Sequence, residues 1–167
     1  QMYSTAKQYN NSAETFAIMV AKEPERKSNY EEAGNQYLND KKPLEAVKYF
    51  EKAISKFGPE ESICRKLEAL YFDLSQPNEA NRTIKKLSDT YPSDIKFLGL
   101  LAESYTKANK ISEAKSVYLK MLELDATNGY ASFGMADIMR REGKNDESFF
   151  YLSKGFADKR VSISHKI

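Results

Sequence analysis

Tyrosine recurs at Tyr3, Tyr37, Tyr71 and Tyr105, each 34 positions after the last, and Met139 takes the next place. Four more columns keep the same period. A small residue stands at Ser12, Ala46, Ala80, Ala114 and Ser148. A bulky one stands at Phe16, Phe50, Ile84, Tyr118 and Leu152. The next column reads Met19, Ala53, Leu87, Met121 and Gly155, and the last Pro24, Gly58, Pro92, Ala126 and Arg160. No insertion or deletion breaks the register. A period of this length means one supersecondary unit used again and again, each copy burying its apolar face on its neighbours.

Within one copy, residues 27–60, the pattern predicts the unit. Tyr30, Ala33, Gly34 and Tyr37 form one apolar, small-residue-rich stripe at helical spacing, and Ala46, Phe50 and Ala53 form another. The polar stretch 39–43 separates them, so two amphipathic helices are expected, 27–39 and 44–57, hinged by a turn. The same reading gives helices at 60–75 and 78–90, 94–108 and 112–124, 129–141 and 146–157, after a helix tail at 1–8 and a helix at 12–22. Gly34, Ala102 and Ala136 let helices approach closely while Phe50, Tyr71 and Tyr118 fill the space opposite. Glu68 departs from that small-residue column and predicts a looser contact or a salt bridge there.

The spacing Tyr30-x2-Ala33-Gly34-x2-Tyr37, then Ala46-x3-Phe50-x2-Ala53, resembles the tetratricopeptide repeat (TPR). The resemblance implies an all-α, right-handed superhelix of antiparallel helix hairpins. It divides the chain into a partial repeat at 1–26, full repeats at 27–60, 61–94, 95–128 and 129–162, and the start of another at 163–167. Val161, Ile163 and Ile167 are apolar and neither end carries a polar cap, so further repeats of the same polypeptide are expected on both sides. The wording of the repeats is similar to that of bacterial multi-repeat TPR proteins, which tilts the expected location from the cytoplasm toward the cell envelope.

Chemistry finds little footing. Lys and Arg number 26 against 24 Asp and Glu, a net charge of +2, which gives no reason to expect nucleic acid or an anionic membrane surface. No apolar run is long enough to span a membrane. The single cysteine, Cys64, allows no intramolecular disulfide or multi-cysteine metal site and is expected as a small buried hydrophobe. His165 is the single histidine, so no Ser-His-Asp or Cys-His arrangement is evident, and no Gly-rich phosphate loop follows a strand. The reading is non-enzymatic, without cofactor or metal. Asn10 and Asn81 open Asn-x-Ser/Thr triplets, the second inside an expected helix.

What remains is the face of each first helix that the core columns leave free. In proteins of this resemblance, first helices line a groove that takes a partner's peptide or helix. The candidate partner-binding residues are Asn35, Arg65, Phe72, Lys96, Glu103, Tyr130, Phe133, Asp137 and Arg140. The aromatics would be anchors and the charged groups would set register. A carboxylate clamp, as in chaperone-binding relatives of this pattern, would need a Lys where Glu31 stands, an Asn where Lys66 stands and an Arg where Leu100 stands, so it is not expected. The competing reading is a structural spacer whose aromatics pack away and whose groove is polar.

Overall fold

The computed structural model describes residues 13–161; the expectations at Tyr3, Asn10, Ser12, Ile163, His165 and Ile167 lie outside them. Among the described residues there are nine helices and no strand. They are α1 (13–22), α2 (Lys27–Asn39), α3 (Pro43–Phe57), α4 (Glu61–Asp73), α5 (Pro77–Thr90), α6 (Ile95–Lys107), α7 (Ile111–Leu124), α8 (Gly129–Arg141) and α9 (Asn145–Ala157). The chain forms two compact units, Gln1–Thr83 and Ile84–Ile167, whose division falls inside α5.

In the first unit, α2 packs on α3 and α3 on α4. The reason is visible at Gly34, where a Cβ would lie 2.5 Å from Cε1 of Phe50. The Phe50 ring, itself fully buried, occupies the space that the missing side chain leaves. Cys64 is fully buried on α4, and Glu68 is buried beside it rather than opened to solvent. The Tyr71 hydroxyl donates to Glu51 at 2.5 Å. Asn81 is buried within α5, which closes it to glycosylation in the folded chain.

In the second unit, α6 packs on α7, α7 on α8 and α8 on α9. The same small-against-large logic recurs at other positions. A Cβ on Gly134 would run into the Tyr118 ring, and one on Gly155 would lie 2.7 Å from Cε1 of Phe133. The last turn is tied down by polar contacts. Asp158 accepts the Gly129 N–H at 2.7 Å, and Arg160 bridges Asp158 and Asp125.

All four hinges between a first and a second helix share one geometry. Lys41, Ser75, Asn109 and Gly143 take φ of 57°, 57°, 56° and 74°, the left-handed region. At each, the next residue's N–H reaches back five positions: Lys42 to Tyr37, Gln76 to Tyr71, Lys110 to Tyr105 and Lys144 to Met139, at 2.7–2.9 Å. The left-handed residue itself donates three positions back, at 2.9–3.1 Å. This is the Schellman arrangement for ending a helix. The second helices begin one residue earlier than the sequence pattern suggests. Pro43 and Pro77 open theirs instead of sitting in the break, since the first helical position needs no N–H donor and suits proline's φ.

Candidate functional site

Two N-caps set the stage in the second unit. The Asp94 carboxylate accepts the Lys96 N–H at 2.9 Å, and the Asn128 amide oxygen accepts the Ala131 N–H at 2.8 Å. Each satisfies a donor that a helix start otherwise leaves unpaired. The caps place Lys96 in the first turn of α6 and Tyr130 in the first turn of α8.

Between them lies a hollow of about 290 Å³. Ile95, Gly99, Leu100 and Met121 supply its apolar lining, and Lys96, Glu103, Asn128 and Tyr130 its polar groups. Gly99 is the opening. A Cβ there would meet Tyr130 Cε1 at 3.7 Å and Met121 Cε at 3.8 Å, so any longer side chain would enter the space.

Tyr130 is 46% exposed, and its ring meets Tyr118 edge-on with centroids 6.0 Å apart. Burial of the hydroxyl pushes its phenol above the usual range, with Tyr118 and Glu103 adding to the effect. It therefore keeps its proton through neutral pH and can donate a hydrogen bond. Lys96 holds its ammonium 5.7 Å from the Phe97 ring centroid. Glu103 pairs with Lys107 at 3.0 Å one turn along the same helix.

The other sequence-nominated residues lie elsewhere. Phe133 stacks edge-on against Phe156 at 5.3 Å and covers Gly155. Asp137 is held between Arg140 at 2.6 Å and Arg141 at 2.7 Å. In the first unit the Asn35 amide oxygen accepts from Lys66 at 2.8 Å, Arg65 pairs with Glu61 at 3.3 Å, and Phe72 is half-buried. Lys96, Glu103 and Tyr130 are thus the ones brought to a common hollow. Sequence reasoning missed Ile95, Met121 and Asn128. The signal was Gly99, an empty place in the column that holds Glu31, Arg65 and Phe133.

Among the described residues no group of three or more His, Cys, Asp and Glu side chains could hold a metal ion, and no helix is long and apolar enough to cross a membrane.

No family model and no curated protein matches the chain. Solved structures do. MamA superposes with a TM-score of 0.65 at 14% identity, over 92% of this chain and 90% of that one. YrrB, described as a TPR protein with an unusual peptide-binding site, gives 0.63 at 16%, over 99% and 88%. The fold is that of the TPR solenoids. PilF of Pseudomonas aeruginosa adds a TM-score of 0.58 at 15% identity, over 92% of this chain and 70% of that one. The hollow lies where α6, α7 and the start of α8 meet.

Proposed function

We propose that this chain is a non-enzymatic protein-interaction module that docks a partner's peptide or helix on the first-helix face of its second unit. The observation that carries this reading is the convergence of Lys96, Glu103 and Tyr130 on one hollow with an apolar lining. Such a lining with a few polar groups at the rim is the usual make-up of a binding pocket, and partly exposed tyrosine is a common interface anchor. The peptide-binding site ascribed to YrrB lends support from the same fold. Both signs of charge at the rim favour a protein partner over a polyanion.

The test is a pull-down from the source cell with wild type beside a Lys96→Glu, Tyr130→Ala double variant of equal helicity. A partner held by wild type and lost by the variant is the expected result. Equal capture by both would remove the face of α6 and α8 from the reading. A second reading, a structural spacer, draws on Phe133 being packed on Gly155 and Phe156 and on Asp137 being spent on two arginines. It would be favoured if neither protein captured anything.

A further inference from the structure

We propose that the hollow on α6 takes one bulky apolar side chain from an extended partner segment whose residues two places to either side carry opposite charges. The inference rests on the docking reading above and specifies its occupant.

Size admits a bulky occupant. A cavity of about 150 Å³ lined by hydrocarbon already binds benzene. A hollow of about 290 Å³ suits a single large side chain with part of its backbone. Ile95, Leu100, Met121 and the Tyr130 ring offer it apolar contacts, so an aromatic or long aliphatic group matches the greater part of the lining.

The rim decides the flanks. Lys96 precedes Gly99 by three residues and Glu103 follows it by four, about 4.5 Å and 6 Å along the axis at a rise of about 1.5 Å per residue. An extended chain returns a side chain to the same face every second residue, about 6.6 Å on. With the apolar side chain over Gly99, an acidic residue two places away falls near Lys96, and a basic residue two places the other way falls near Glu103. The exposed Glu103–Lys107 pair exchanges partners at little cost. The order of the two charges in the partner sets only the direction in which it lies.

Gly99 is then the specificity-determining residue. Glu31, Arg65 and Phe133 hold its place in the other full repeats, each carrying a side chain where Gly99 has none.

The probe is an acetylated, amidated heptapeptide reading Gly-Glu-Gly-Phe-Gly-Lys-Gly, titrated into the ¹⁵N-labelled full chain and followed by NMR. Saturable shifts are expected at the Gly99, Leu100, Met121 and Tyr130 amides. Replacing the probe's phenylalanine by alanine should weaken binding about tenfold or more, the loss that goes with leaving a large apolar side chain unburied. Gly99→Ala narrows the hollow and should weaken binding; Gly99→Leu fills it and should abolish binding. Lys96→Glu should weaken the probe, and a version with lysine at both charged positions should recover the loss.

Equal binding of the phenylalanine and alanine probes, indifference to both Gly99 variants, or no shift up to several millimolar would each overturn the inference. Shifts confined to α8 around Asp137 and Arg140, unaffected by Gly99→Leu, would overturn the occupant while leaving docking on this face in place. Equal capture in the pull-down overturns the docking reading itself.

Discussion

Replacing Ser75 with glycine should make this protein more stable, although it removes a side chain and adds no contact. Ser75 holds φ at 57° in the hinge between α4 and α5. An L-residue in this region pays roughly 1–2 kcal/mol for its Cβ against the following carbonyl. Glycine is free of that strain but has a more mobile unfolded chain, which takes back about 0.5–1 kcal/mol. The hinge's hydrogen bonds, Ser75 N–H to Phe72 and Gln76 N–H to Tyr71, run between backbone atoms and survive the change. The expected net gain is about 0.5–1 kcal/mol. Lys41→Gly should gain as much. Asn109→Gly should gain less, because asparagine visits this conformation more readily. Gly143→Ala should lose about 1 kcal/mol. Urea unfolding followed by far-ultraviolet circular dichroism reads all four as shifts of the midpoint at constant slope. A neutral or destabilising Ser75→Gly, or an Asn109→Gly gain larger than that of Ser75→Gly, would refute the argument from backbone strain.

Two helical glycines should respond to alanine in opposite directions. Gly34→Ala should destabilise by about 1–3 kcal/mol through overpacking, more than the roughly 1 kcal/mol that alanine returns in helix propensity, because Phe50 stands 2.5 Å from the new Cβ. Phe50→Leu in the same chain should recover part of the loss in a denaturation midpoint. Gly99→Ala should instead stabilise by about 0.5–1 kcal/mol, since its Cβ meets nothing nearer than 3.7 Å. Acid should weaken the second unit. The Arg160 guanidinium, the Arg160 N–H and the Gly129 N–H hold the Asp158 carboxyl well below the usual carboxylate range. As pH falls through about 4 the unfolded chain takes up this proton before the folded one does. The stability contributed by Asp158 is therefore complete at neutral pH and drains away below about pH 4–5. Arg160→Ala should flatten the slope of unfolding midpoint against pH between about 3 and 6.

The helices were legible because their signal is redundant. Five columns at one period carry the hairpins even where a single residue is atypical, as at Glu68. The ends of α2 and α8 fall where the sequence pattern puts them, and α3 and α5 begin early because proline reads as a breaker in a sequence but opens a helix in the structure. The left-handed hinges were not legible. Their hydrogen bonds are made by backbone, so Lys41 and Ser75 carry no sign of the conformation they adopt. The hollow was legible only in part. Lys96, Glu103 and Tyr130 came from the free face of the first helices, but the space they share exists because Gly99 has no side chain and Met121 closes it from another helix. Met121 sat in a column that reads as core, and a face-by-face reading of one helix does not see across to its neighbour. Phe133 shows the converse: its place on the free face is genuine, yet Gly155 on α9 gives its ring somewhere to pack.

Every residue lining the hollow lies between Ile95 and Tyr130, inside the compact unit Ile84–Ile167. Ligand binding therefore adds its free energy to the opening equilibrium of that unit. A bound partner would slow amide hydrogen exchange in α6, α7 and α8 by the factor by which ligand exceeds its dissociation constant, while α2 and α3 would keep their unliganded rates. Helix α5 belongs to both units, its residues up to Thr83 to the first and those from Ile84 to the second. Exchange along it would grade from unprotected to protected over its 14 residues and so measure how much of an occupied hollow is felt beyond its own unit.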